Sequence, residues 1–268
     1  MLQPQHLILF DVDGTLTEAR RPIQKVMLKA LRELSRYAEI GFLTGSGLEY
    51  IKEQLWPALA DPIIRQNCHL LPCNGTEYVI PYGDEEIIFN AMSKEYMIDS
   101  IGKEDFQKLM NVLCILQAQI VEENGDIPLT GNFVQNRGSM INWCPIGRNA
   151  LQEDRDVFKA LDNLYGIRKK YIQKLKDYIS TAKMNVTVKL GGNTSFDIFP
   201  NGWDKTFALN HFDGPNWTFW FVGDRCSPTG NDYEIFSALK DTGRAFEVGT
   251  PEETVEIIDF HILRELGA

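Results

Sequence analysis

The sequence predicts an α/β protein in which a parallel-sheet core is interrupted by an inserted α+β unit. Short apolar runs at 6–13, 39–43 and 217–222 each lead into a polar turn, and the first two precede amphipathic helical sequence. Between the second and third runs the pattern changes. Apolar and polar residues alternate over 132–143 and 185–199, around a charged helical stretch at 153–180. Residues 1–87 and 204–268 are therefore the expected core, and 88–203 the expected insertion. The absence of any long Gly/Ser tract predicts short hinges between them.

Each element has a local reason. HLILFDVD (6–13) is a continuous apolar run of the kind that forms a strand covered on both faces, and it delivers two carboxylates and Gly14 at its C-terminal end. After Pro22, Ile23, Val26, Met27, Ala30, Leu31 and Leu34 recur at helical spacing. The run 39–43 leads into Thr44-Gly45-Ser46-Gly47 and a helical stretch at 48–55, repeating the theme. The run 217–222 ends in Gly223-Asp224 and supplies the third such strand. Open α/β sheets bind ligands outside the carboxyl ends of their strands, which is where these polar turns fall. In the middle, Val186, Val188 and Leu190 share one face of a period-two segment, as expected of an antiparallel sheet with one solvated side.

Composition excludes several classes. The 268 residues are 44% apolar with a net charge of −10, enough to build a core and unfavourable for nucleic acid. No apolar run approaches the roughly 20 residues of a membrane span. The start, MLQPQ, lacks secretory character, and five cysteines without C-x-x-C spacing argue for reduced thiols; both predict a cytoplasmic protein. The charge is uneven: residues 88–203 hold 14 basic and 13 acidic side chains, against 13 and 24 in the remainder. Four histidines lack ligand spacing and are read as structural. Arg225 beside Cys226 is a setting that can lower a thiol pKa, although a bystander role is the expectation.

Asp11-Val12-Asp13-Gly14-Thr15 is the most informative stretch. Residues two apart on a strand project to one side, so both carboxylates are expected to face one site, with Gly14 allowing backbone N–H groups to approach an anion. One carboxylate can attack phosphorus while the other moves a proton. Two unit charges 4 Å apart repel by about 4 kcal/mol at an effective dielectric near 20. A carboxylate therefore needs a cation to meet a phosphate dianion, and Mg²⁺, with its preference for oxygen donors, is implied.

DVDGTLT resembles motif I of the haloacid dehalogenase (HAD) superfamily of phosphoryl-transfer enzymes. PCNGTEYV (72–79), RGSMINWCPIGR (137–148), GGNTSFDIFPNGWDK (191–205) and GDRCSPTGNDYEIF (223–236) are similar to segments of the eukaryotic-type phosphomannomutase family. The resemblance runs in order from Leu7 to about Glu253. It implies a HAD-like, Rossmann-type parallel-sheet core with an α+β cap inserted, Mg²⁺, a hexose 1,6-bisphosphate activator and homodimerisation through the cap. The implied reaction interconverts mannose 6-phosphate and mannose 1-phosphate for GDP-mannose synthesis; a sugar-phosphate phosphatase of the same superfamily is the alternative.

By the same resemblance, Asp11 is the nucleophile, Asp13 the general acid/base and Lys205 the cation facing the transferred phosphate. Asp11, Asp13, Asp224, Asn231 and Asp232 form the implied magnesium site. Arg20, Thr44, Ser46, Arg137, Arg148, Arg155, Ser195 and Asp197 are the implied substrate contacts. Ser195 and Asp197 alternate with Phe196 and Ile198, so the polar pair is expected on the face opposite the core. Trp143-Cys144 stands where smaller residues would be expected, with an expected effect on the cap near the sugar.

Overall fold

The computed structural model describes residues 5–19, 21–214 and 216–268. The chain opens with β1 (Gln5–Phe10), α1 (Lys25–Leu34), β2 (Glu39–Leu43), α2 (Leu48–Ala60), α3 (Pro62–Arg65), β3 (Cys68–Leu71), β4 (Glu77–Tyr82) and β5 (Ile88–Lys94). It continues through α4 (Met97–Ile101), α5 (Lys103–Glu123), β6 (Val134–Asn136), β7 (Ile141–Trp143), α6 (Gln152–Tyr165), α7 (Ile167–Thr181), β8 (Val186–Gly191) and β9 (Ser195–Pro200). It closes with β10 (Trp217–Gly223), α8 (Tyr233–Leu239), β11 (Ala245–Glu247), α9 (Pro251–Ile257) and α10 (Leu263–Leu266). Two compact units result, one comprising residues up to 94 together with 203–268, the other residues 95–202.

The first unit is a seven-stranded sheet in the order β11-β10-β1-β2-β3-β4-β5. Strands β11 to β3 are parallel, and β4 and β5 extend the sheet antiparallel. Its centre is covered on both faces. Ile8 and Phe10 of β1 enter a core with α1 and α2, whereas Leu7 and Leu9 pack with Ala208, Phe212, Ile235 and Leu239 on the other side. That double burial is why β1 reads as continuous apolar sequence rather than alternation. The chain progresses from β1 to β2 and β3 on one side and returns through β10 and β11 on the other, so strand order reverses between β1 and β10. This is a topological switch point, the usual place for a ligand crevice.

The second unit is a four-stranded antiparallel sheet, β6-β7-β9-β8. Residues directly opposite one another share a face. Ile141, Ile198 and Val188 form one such row and Trp143 with Phe196 another, and both rows meet apolar residues of α5, α6 and α7 in one core. The intervening row, Gln135, Asn142, Asp197 and Lys189, lies on the opposite face.

Three expectations need correction. The insertion does not begin at residue 88: Ile88–Lys94 pairs along β4, a long-range contact that alternation alone does not reveal, and Trp203 also belongs with the core unit. The helical stretch at 153–180 is two helices, because Gly166 takes a left-handed conformation (φ 64°) and caps α6. Trp143 points away from the polar face. Its ring stacks on Phe196 at 4.5 Å, and its indole N–H donates to Gln117 Oε1 at 2.7 Å, so it enlarges the core between sheet and helices.

Candidate active site

Strand β1 ends at Phe10, and Asp11 is the first residue beyond it, tied to the neighbouring strand by its N–H donating to Val222 O at 3.0 Å. The chain then turns tightly, with the N–H groups of Leu16 and Thr17 both donating to Val12 O at 3.0 Å. Gly14 makes this turn possible. Its φ is 86°, and a Cβ there would collide with the Asp224 carboxylate, so only glycine lets the two segments close on each other.

Asp11, Asp224 and Asp232 bring carboxylate oxygens within 4.8 Å of one another. Asp224 follows the end of β10, and Asp232 precedes α8 at the far end of a loop that closes by Asp232 N–H to Arg225 O at 3.2 Å. Lys205 enters from the start of the 3₁₀ segment Lys205–His211. It is fully buried, and its ammonium pairs with Asp11 and, at 2.5 Å, with Asp232 Oδ1. The second oxygen of Asp232 accepts from Arg225 N–H at 3.0 Å, so Asp232 is committed to orienting Lys205 and the loop.

Three carboxylates around one ammonium leave the pocket short of positive charge. Burial holds the Asp11 carboxyl well above its usual range, with Lys205 opposing the rise and Asp232 and Asp224 adding to it. Burial, reinforced by Asp232, likewise pushes Asp224 up to about 6. For Lys205, burial disfavours the charged form, but Asp11 and Asp232 outweigh it, so the ammonium is held above its usual value. A divalent cation fits this imbalance. Every donor is a hard oxygen, and the buried Oδ1 of Asn231 has no hydrogen-bond partner. Asp11 and Asp224 are groups that could hold such a cation, with the unpartnered Asn231 Oδ1, next in sequence to Asp232, as a further candidate donor.

The Asp13 carboxylate stands outside this group. It accepts a hydrogen bond from Tyr50 Oη of α2 at 2.5 Å. Alternation along a strand does not place the pair, because β1 has already ended; the turn still leaves Asp13 near enough to Asp224 to add to the rise of its carboxyl pKa. Thr44 and Ser46 follow β2, with Ser46 N–H donating to Thr44 Oγ1 at 3.1 Å. Arg20 lies outside the described residues. The Cys226 thiol is buried and pushed up rather than activated by Arg225.

In the second unit, Asn142 Nδ2 donates to Asp197 Oδ1 at 2.6 Å and Ser195 Oγ at 3.1 Å, joining the expected pair on the polar face. Arg137 lies in the turn between β6 and β7, and Arg148 follows the Pro145–Gly147 turn; both are half-buried. Arg155 is held by its own unit. It is buried, and its guanidinium donates to Ala150 O, Thr194 Oγ1 and Arg148 O at 3.0, 2.8 and 3.1 Å. It braces the loop that carries Arg148. Sequence reasoning assigned no role to Tyr50, Asn74 or Asn142; Asn74 and Asn142 sit inside quoted motifs, whereas nothing local marks Tyr50.

The family model described as eukaryotic phosphomannomutase matches residues 27–264. A phosphomannomutase of Schizosaccharomyces pombe is 37% identical over 259 residues, covering 94% of this chain and 92% of the relative. One from Dendrobium officinale is 35% identical over 262 residues, covering 97% and 95%. Among solved structures, N-terminally truncated IMP-nucleotidase of Plasmodium falciparum superposes with a TM-score of 0.67 at 14% identity, over 97% of this chain and 71% of that one, a likeness of fold. With the segments that hold Asp11, Lys205 and Asp232 meeting in one cluster and the match spanning nearly the whole sequence, the chain belongs to the eukaryotic phosphomannomutase family.

Proposed function

We propose that this protein interconverts mannose 6-phosphate and mannose 1-phosphate through a phosphorylated Asp11 and a hexose 1,6-bisphosphate, supplying mannose 1-phosphate for GDP-mannose synthesis. The observation that carries the reading is the buried Asp11–Lys205–Asp232 cluster at the switch point. A nucleophilic carboxylate next to a fixed ammonium is what phosphoryl transfer to aspartate needs.

In the forward step, phospho-Asp11 meets the free hydroxyl of a bound hexose monophosphate. A bond forms between that oxygen and phosphorus, the bond from phosphorus to the Asp11 oxygen breaks, and the hydroxyl proton passes to Asp13. The bisphosphate turns over. In the return step, Asp11 attacks the other phosphoryl group and Asp13 gives its proton to the departing sugar oxygen. Lys205, Thr44 and Ser46 bind the phosphoryl oxygens, and Asp232 holds Lys205. Magnesium supplies the positive charge that lets the Asp11 carboxylate approach a phosphate. The phosphate not being transferred is bound by Arg137 and Arg148, whose guanidinium forks match its oxygens, with Arg20 as a further contact. Ser195 and Asp197 hydrogen-bond sugar hydroxyls. A bisphosphate primes Asp11 at the first turnover.

The enzyme acts as a homodimer through the inserted unit, supported by an open apolar groove of about 600 Å³ lined by Cys114, Ala118, Val121, Leu129 and Val134 beside the edge strand β6. The cytoplasm is its setting, in keeping with five free cysteines. Among the described residues no helix is long and apolar enough to cross a membrane.

Phosphorus NMR tests the reading. With Mg²⁺, mannose 1-phosphate and catalytic glucose 1,6-bisphosphate, hexose 6-phosphate accumulates; stoichiometric inorganic phosphate instead would mark a phosphatase.

A further inference from the structure

The turn after β3 is built against backbone preference. Cys73, Asn74 and Gly75 take φ values of 51°, 63° and 81°, three successive left-handed residues of which only the last is glycine. Such strain persists where surrounding contacts over-determine it, and it concentrates near functional sites. Here the contacts run in two directions. On one side, Cys73 N–H donates to Ser46 O at 2.9 Å and Asn74 N–H to Thr44 O at 2.8 Å, which grips the loop after β2. On the other, the Asn74 amide Nδ2 donates to Trp203 O at 3.2 Å, two residues before Lys205. The 3₁₀ segment is held again further along. His211 Nε2 donates to Gly75 O at 2.6 Å, and a Cβ on Gly75 would come within 2.6 Å of the Ala208 Cβ.

We propose that Asn74 is a positioning residue for phosphoryl transfer: it locks the Trp203–Lys205 segment to the Thr44–Ser46 loop. Two phosphoryl-binding groups that arrive from distant parts of the chain thereby keep a fixed spacing. Asparagine suits the post on two counts. It tolerates the left-handed conformation better than other side chains, and its amide supplies the donor that glycine lacks. Asn74 is buried at 4% exposure, so its hydrogen bond to Trp203 is sheltered from competing water. The proposal rests on the reading of Asp11 as the residue that carries the phosphoryl group.

The test compares Asn74→Gly, which keeps the backbone conformation and removes the amide, with Asn74→Asp, which keeps the shape and removes the donor. Misplacing a catalytic group by about 1 Å costs on the order of 100-fold, so both variants are expected to lose about that factor in kcat. KM for the hexose monophosphate, which reports the arginines of the inserted unit, stays within threefold. Binding of beryllofluoride with Mg²⁺ at Asp11, read by fluorine NMR, weakens at least tenfold. Val79→Ala, a core truncation in the adjoining strand, controls for lost stability and keeps wild-type kcat and beryllofluoride affinity. Folded Asn74 variants with kcat and beryllofluoride affinity within threefold of wild type overturn the role of Asn74. A kcat loss matched by Val79→Ala at equal loss of Tm reduces that role to ordinary packing, and also overturns it. Failure of the wild-type protein to bind beryllofluoride overturns the Asp11 reading itself.

Discussion

Lys205→Met isolates the electrostatic keystone of the site. The wild-type ammonium is fully buried between Asp11 and Asp232, themselves 4% and 0% exposed. Methionine fills a similar volume without charge, so the loss is dominated by two buried carboxylates facing each other without a cation. Removing one partner of a buried ion pair costs about 3–5 kcal/mol. For a chain of this length that corresponds to a fall in Tm on the order of 10 °C. The assay is urea and thermal unfolding in EDTA. Two further outcomes follow from the same charge balance. Asp232→Asn in the Lys205→Met background removes one stranded charge and recovers part of the loss, and Mg²⁺ recovers more in Lys205→Met than in wild type. A Tm within about 2 °C of wild type, or a double variant less stable than Lys205→Met, refutes the assignment of Lys205 as the neutralising charge.

Asp11→Asn removes the proposed nucleophile and one of three clustered carboxylates, so mutase activity and phosphate trapping vanish while the metal-free protein unfolds no more easily than wild type; loss of the fold in circular dichroism contradicts this. The Asp224 carboxyl, raised by burial to about 6, binds its proton more tightly folded than unfolded. Its contribution to stability is therefore fully present below the ordinary carboxylate pKa and lost as pH rises through 6, so the metal-free Tm gains from this group between pH 7 and 5. Protonation competes with the metal, so the Tm increment from Mg²⁺ shrinks over the same interval; an increment independent of pH contradicts the assignment. Arg155→Ala strips three acceptors of their donor and costs about 3 kcal/mol in urea unfolding. A loss under 1 kcal/mol refutes its bracing role. Arg137→Ala leaves unfolding unchanged and raises KM for the monophosphate about tenfold or more, with Mg²⁺-dependent phosphorylation of Asp11 retained. An unaltered KM removes Arg137 from the second phosphate site.

Much of the fold is legible in local sequence because burial imposes local patterns. The doubly covered β1 must be apolar throughout, and a strand less covered on one side, such as β8, alternates. These constraints reveal the strand, turn and helix units of the core, the antiparallel character of the insertion, and the acidic turn at Asp11. The family motifs add identities that patterning does not supply, including Lys205 and Asp224. Gly166, a single left-handed cap, was the local signal that the charged helical stretch divides in two.

Tertiary structure decided what depends on partners far along the chain. Lys205 meets Asp11 across 194 residues, and no window of sequence contains both. The pairing of Ile88–Lys94 along β4 moved the boundary of the core, because strand partnership depends on edge geometry as much as on the strand's own residues. That Arg155 braces the loop carrying Arg148 is visible only once its three acceptors are in place around it. Asp13 meets Tyr50, 37 residues away, in the turn beyond β1, a contact that no local pattern marks. The sequence by itself determined which chemical groups this protein carries and the local elements that hold them. Which carboxylates meet the buried ammonium, which arginine braces a loop and which amide ties two segments together were decided by the fold, because pKa, hydrogen-bond satisfaction and strain belong to a side chain's surroundings.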